Sequence, residues 1–154
     1  MTAADKLVKV LAERHLTCVT AESCTGGGVG YAITAVPGAS EVYLGGVVSY
    51  DNAVKRDTLG VPQDVLAQHG AVSAECAAAM ANGVRERLKA DLAVSTTGIA
   101  GPGGGSADKP VGLVWFAVAS KSEVLTEKKL FPGDRAAVRN AAIEYALNLL
   151  LAHA

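Results

Sequence analysis

The chain has 154 residues, half of them hydrophobic and 19% charged, with a formal net charge of −1. That suffices for one domain with a full core and excludes a disordered chain. The balanced charge leaves no basic surplus to wrap a nucleic-acid backbone, and no apolar run reaches the ~18 residues a membrane span needs.

In chain order, Ala3, Ala4, Leu7, Val10 and Leu11 have helical spacing and predict an opening amphipathic helix. Thr17 to Ala21 is a short β-prone run, and Gly28 to Val36 reads as a helix that stops before Pro37 and Gly38. Val42 to Tyr50 alternates like a strand, and Gly45 and Gly46 within it signal a bulge or a close backbone approach. Asp51 or Asn52 caps a helix to about Leu59, and Pro62 begins another that ends near His69. Ser73 starts a long Ala-rich helix to about Lys89. Leu92 to Thr96 reads as a buried strand, and Gly98 to Pro110 as a long glycine-rich loop. Val111 to Ala119 and Glu123 to Phe131 predict a hairpin. Asp134 caps a last helix with Val138, Ala141, Ala142, Tyr145 and Leu149 on one face. This order predicts a single α/β domain over 1–154, a three-layer α/β/α sandwich around a mixed sheet.

Three segments carry candidate chemistry. In Val19 to Gly30 a strand breaks into a helix start at Ser23, Cys24, Thr25 and three glycines. Backbone N–H groups at a helix start lack partners and favour an anion or a developing oxyanion, so a nucleophile there is equipped for acyl transfer. The same residues also read as an N-cap followed by glycines that allow close packing. Glu22 either orients a hydroxyl or ammonium or simply complements the helix N-terminus. In Val47 to Val61, Tyr50 stands at a strand end and Lys55 early in the next helix, both facing the carboxyl edge of a sheet. Lys55 becomes a general base only if burial, helped by the adjacent Arg56, lowers its pKa; an exposed lysine is the commoner case. In Phe131 to Asn140, Arg135 and Arg139 share one helix face, suited to a phosphate or carboxylate or to plain solvation. The glycine loop is neither a Walker A nor a dinucleotide fingerprint. Thr96 and Thr97, ending a buried strand, are better placed for a ligand than the loop tip.

Cys18, Cys24 and Cys76 are odd in number and lack C-x-x-C spacing, which predicts no disulfide framework and a reducing, cytoplasmic setting. The charges at Asp5, Lys6, Lys9, Glu13 and Arg14 leave no signal-peptide core in residues 2–16. Three scattered histidines predict no metal site.

AESCTGG, GGVVSYDNAVK, LGV, HGAVS, TTGIAGPGGGS, KPVGLVWFA and FPGDRAAVR follow one another over about residues 5–150. This set resembles the CinA C-terminal domain family, specifically its stand-alone nicotinamide-nucleotide amidohydrolases. The resemblance implies deamidation of nicotinamide mononucleotide to nicotinic acid mononucleotide and ammonia, in pyridine-nucleotide salvage, without metal or cofactor. It places the family's nucleophile on Ser23, its tyrosine on Tyr50 and its lysine on Lys55. Backbone amides around Thr25, Gly26 and Gly27 would receive the oxyanion, at ~3–4 kcal/mol per donor. Gly46, Thr97, Gly98, Arg135 and Arg139 complete the expected substrate-binding set. Gly28, where a bulkier residue is expected, would widen the pocket. The family's other form carries an N-terminal domain of molybdopterin-binding type, so its metal-dependent pyrophosphatase activity is not expected here.

The implied partner is a small nucleotide, with no nucleic acid or membrane, and a homo-oligomer such as a dimer is expected. Two alternatives stand beside the serine amidase: Cys24 as nucleophile, and a non-catalytic nucleotide-binding or sensing module of the CinA type.

Overall fold

The computed structural model describes residues 1–154. The elements are α1 (Ala3–Arg14), β1 (Cys18–Glu22), α2 (Gly28–Thr34), a 3₁₀ turn (Ala39–Glu41), β2 (Tyr43–Val48), α3 (Asn52–Leu59), α4 (Gln63–His69), α5 (Ala74–Leu88), β3 (Leu92–Gly98), β4 (Leu113–Ala119), β5 (Val124–Leu130) and α6 (Arg135–His153). The sheet order is β2-β1-β3-β4-β5. β2, β1 and β3 run parallel, while β4 and β5 form the antiparallel hairpin. One apolar cluster packs α1, α2 and α6 on one face, and a second packs α3, α4 and α5 on the other. This is the expected three-layer sandwich.

Local chemistry explains most of the element boundaries. Thr2 and Asp5 form a capping box on α1, and Asp51, Ser73 and Asp134 accept backbone N–H bonds at the starts of α3, α5 and α6. Lone polar side chains before apolar periodic runs announced the last three of these caps, and the Thr2–Asp5 box was not read. β1 is buried on both faces, as a parallel strand between two helical layers must be.

Several boundaries differ from the expectation. β2 ends at Val48 and α2 at Thr34, each two residues early, while β3 runs on to Gly98 to pair with Val114. The 3₁₀ turn had no signal, because its start depends on Gly38 at φ 91°.

Gly83 of α5 positions the layer that carries Lys55. A Cβ there would lie 2.0 Å from the Leu59 carbonyl oxygen, so only glycine lets α5 cross α3 this closely. At the far edge, β5 is mostly exposed and pairs only with β4. No helix is long and apolar enough to cross a membrane.

Candidate active site

Ser23 follows directly on β1, and its N–H donates to the Thr96 carbonyl at 2.9 Å. Side chains alternate along β1, and Ala21 packs in the α3–α5 layer, so Ser23 turns to that same side. There Lys55 Nζ lies 3.1 Å from Ser23 Oγ. The same nitrogen donates to the Ser49 carbonyl at 2.6 Å and the Tyr50 carbonyl at 3.1 Å. Both side chains are enclosed, Ser23 at 7% exposure and Lys55 at 1%.

Burial pushes the Lys55 pKa below its usual 10.5, while Cys76, Asp51 and Cys24 partly oppose the shift. No carboxylate forms an ion pair with it. The help expected from Arg56 is absent, because that side chain is exposed and pairs with Asp57 at 2.9 Å. A neutral lysine has two N–H bonds and one lone pair. Charged, Lys55 donates to Ser23 Oγ and to both carbonyls; neutral, with the two carbonyls taking its hydrogens, it would turn its lone pair to the Ser23 hydroxyl, an arrangement able to act as a nucleophile and its base.

The start of α2 corrects one expectation. Its amides are not open to a ligand, because the buried Glu22 carboxylate accepts from Val29 N at 2.8 Å and Gly30 N at 3.1 Å. It also takes the Thr25 hydroxyl at 2.6 Å, and Thr25 Oγ1 lies 2.7 Å from Thr96 Oγ1. Glu22 therefore complements the helix N-terminus, one of its two expected roles. The free donors lie just before the helix instead. The Gly26 amide closes a turn on the Ser23 carbonyl, whereas the amides of Cys24, Thr25 and Gly27 donate to no protein acceptor. Gly26 and Gly27 sit at φ 59° and 96°, which lets the loop present them.

Other expected site residues have different duties. The Tyr50 ring is 62% exposed, and its hydroxyl meets Arg135 Nη2 at 3.2 Å rather than Ser23 or Lys55. Only its backbone carbonyl reaches the lysine. Arg135 also donates to the Gly101 carbonyl at 2.8 Å, tying α6 to the glycine loop. Arg139 is spent on the loop after Ser23, donating to the carbonyls of Cys24 at 3.1 Å and Thr25 at 3.4 Å. Thr97 lies one residue beyond the Glu22–Thr96 pair, hence beside Ser23, with its proton given to the Ala71 carbonyl. Gly46 is a packing residue, since a Cβ there would lie 2.2 Å from Thr20 Oγ1. Gly98 likewise makes room for Leu113 and Val114 of β4, and Gly28 makes room for Ile143 without widening a pocket. Cys24 lies in the apolar core with its thiol pushed up to about 11, chiefly by burial, so it is no nucleophile at neutral pH.

A cavity of about 600 Å³ lies beside the start of α5 against Trp115, Lys109 and Lys128, and Ser23 and Lys55 are not in its wall. No three His, Cys, Asp or Glu side chains gather in a manner that would hold a metal ion.

The family description "CinA C-terminal domain" matches residues 1–154. The chain belongs to the CinA C-terminal domain family. Among the relatives of this CinA domain, a CinA-like protein of Pseudothermotoga lettingae is 44% identical over 151 residues, 98% of this chain and 37% of the relative. A CinA-like protein of Synechococcus sp. is 49% identical over 150 residues, 96% of this chain and 36% of the relative. The CinA domain described here thus spans about a third of the length of the curated relatives it matches. The crystal structure of the competence/damage inducible protein CihA from Agrobacterium tumefaciens superimposes at TM-score 0.95 with 43% identity, covering 97% of this chain and 92% of that one. A CinA superfamily protein from Escherichia coli superimposes at TM-score 0.95 with 37% identity, covering 99% of this chain and 88% of that one.

Two features of this CinA site were not singled out from sequence: the Ser49 carbonyl and the Ser49 hydroxyl. Backbone groups carry no residue-type signal, and Ser49 was overshadowed by its neighbour Tyr50.

Proposed function

We propose that this CinA domain is an amidohydrolase that converts nicotinamide mononucleotide and water to nicotinic acid mononucleotide and ammonia. The observation that carries the reading is the buried Lys55 Nζ, 3.1 Å from Ser23 Oγ and held by two carbonyls. A lysine kept from solvent with no carboxylate partner is set up to be neutral, and a neutral lysine beside an alcohol is an activating base.

In this reading Lys55 takes the Ser23 proton as Ser23 Oγ adds to the carboxamide carbon. The carbonyl oxygen gains charge and turns to the free amides of Cys24, Thr25 and Gly27. Lys55 then returns the proton to the nitrogen, the C–N bond breaks and ammonia leaves. Water adds to the acyl ester with Lys55 again as base, and the acid departs as Ser23 recovers its proton. In this reading the exposed Tyr50–Arg135 pair and the glycine loop that Arg135 ties to it would receive the ribose and phosphate.

The test is ammonia release from nicotinamide mononucleotide by the purified chain, beside Ser23→Ala and Lys55→Ala. Turnover by the parent and its loss, by about a thousandfold or more, in both variants is expected. No release above the Lys55→Ala background would replace the enzyme with a nucleotide-binding module. Full activity in Ser23→Ala would end the serine assignment.

A further inference from the structure

Only two buried side-chain polar atoms lack a hydrogen-bond partner, Ser49 Oγ and Arg85 Nε. Arg85 lies on the last turns of α5 and reaches the Ala90 carbonyl through another nitrogen, a local matter. Ser49 is different, because it is 0% exposed and sits in the site described above. Leaving a buried hydroxyl unpaired costs about 1–3 kcal/mol, so such a group usually has a partner supplied from outside or a use.

The sheet register says where this hydroxyl stands. β1 and β2 are parallel neighbours whose last pair is Glu22 with Val48. Ser23 and Ser49 are the next residues on each strand, and the Ser49 N–H donates to the Glu22 carbonyl at 2.8 Å, continuing the ladder. Equivalent residues on adjacent strands point to the same face, about 4.8 Å apart. Val47 packs in the α3–α5 layer, so Ser49 turns that way too, as Ser23 does. The backbone of Ser49 is fixed at both ends, by Glu22 and by Lys55 Nζ on its carbonyl at 2.6 Å. Ser49 thus meets Lys55 through its carbonyl, while strand alternation turns its hydroxyl to the face Ser23 shares; the Ser23 hydroxyl is paired with the lysine and the Ser49 hydroxyl is paired with nothing.

We infer that the Ser49 hydroxyl is a third catalytic group, holding the nitrogen as it leaves and then the water that takes its place. The inference rests on the amidase reading above. In acylation Ser49 Oγ accepts an N–H of the departing nitrogen and so turns that nitrogen's lone pair to the protonated Lys55. The C–N bond breaks, and the nitrogen carries off the proton that Ser23 gave up. In deacylation a water donates one O–H to Ser49 Oγ and gives its other proton to Lys55 as its oxygen joins the acyl carbon. The bond to Ser23 Oγ breaks, and that oxygen takes the proton back from Lys55. Leaving group and attacking water occupy one position, so one hydroxyl serves both steps.

Steady-state kinetics with nicotinamide mononucleotide test this, using the parent chain, Ser49→Ala and Ser49→Thr. Ser49→Ala is expected to lose about tenfold to a hundredfold in kcat, with KM within about twofold and the alkaline inflection unmoved, because the backbone contacts to Lys55 persist. Its melting temperature is expected to hold or rise, since the unpaired buried hydroxyl is gone. Ser49→Thr keeps a hydroxyl and is expected to recover most of the rate. Turnover of Ser49→Ala within twofold of the parent overturns the inference. So does a loss that appears in KM, or one that accompanies a lowered melting temperature in both variants, the mark of a structural serine. A parent chain that releases no ammonia instead overturns the amidase reading, and the role of Ser49 falls with it.

Discussion

Lys55 Nζ stands 3.1 Å from Ser23 Oγ in a pocket where no carboxylate pairs with it. Burial lowers the lysine pKa below 10.5, and only the neutral amine can accept a proton. Activity is therefore expected to rise with pH through a single ionisation below that of a free lysine. Measured kcat/KM across neutral and alkaline pH checks this, and a flat profile removes Lys55 from the role of base. Lys55→Arg, charged at every accessible pH, is expected to be inactive throughout.

The same shift has a consequence for stability. In the folded chain Lys55 loses its proton at a lower pH than in the unfolded chain, where the value is near 10.5. Between those two values the unfolded state binds more protons, so folding stability rises with pH there by up to about 1.4 kcal/mol per unit. Below the folded value the full burden of a buried ammonium is present. Lys55→Met removes this dependence: its stability relative to the parent is expected to be most favourable at neutral pH and to decline toward high pH. Urea unfolding at several pH values measures the difference, and a constant offset would contradict it.

Glu22 gives the loop after Ser23 its shape by accepting from Thr25, Val29 and Gly30. Glu22→Gln keeps the volume but exchanges one acceptor oxygen for a donor that faces backbone N–H groups. A loss of about 1–3 kcal/mol is expected, with a fall in kcat because the free amides beside Ser23 lose their support. Denaturant midpoints and kinetics on the same preparation decide it. An unchanged midpoint would mean that α2 does not depend on this carboxylate.

Gly83→Ala sets a methyl group against the Leu59 carbonyl oxygen, 2.0 Å from an ideal Cβ. Either α5 or α3 must move, at about 1–3 kcal/mol for overpacking, and α3 carries Lys55. Gly103→Ala is the control, because nothing lies within 4 Å of a Cβ there. Destabilisation and reduced turnover are expected only in the first variant. Equal melting temperatures for the two would show that the crossing of α3 and α5 has slack.

Features encoded by neighbours in the chain were legible in the sequence. The caps at Asp51, Ser73 and Asp134 are single polar residues bonding two or three positions ahead, and the apolar spacing of α1 and α6 is a property of the helix itself. Ser23 and Lys55 were legible as a pair only through the resemblance, since they meet across two layers. What escaped notice depends on tertiary register. Arg139 looked free for a phosphate until α6 docked it onto the Cys24 carbonyl, 115 residues away. The sequence offered Glu22 both as an orienting group and as a complement to the α2 start, and only the fold, which turns its carboxylate onto Val29 N and Gly30 N, decided between them. Ser49 acquires its meaning from the alignment of two strand ends.

Arg135 joins Tyr50 to Gly101, linking three separate segments near a serine–lysine pair that solvent barely touches. Ser23 and Lys55 are 7% and 1% exposed, so on the amidase proposal each turnover would include a breathing motion that uncovers the alcohol, and its frequency would cap the rate whatever the speed of the bond-breaking steps. The same seclusion would shield the amine from casual acylation by reactive metabolites, to which a lysine of lowered pKa is a readier target than a free one.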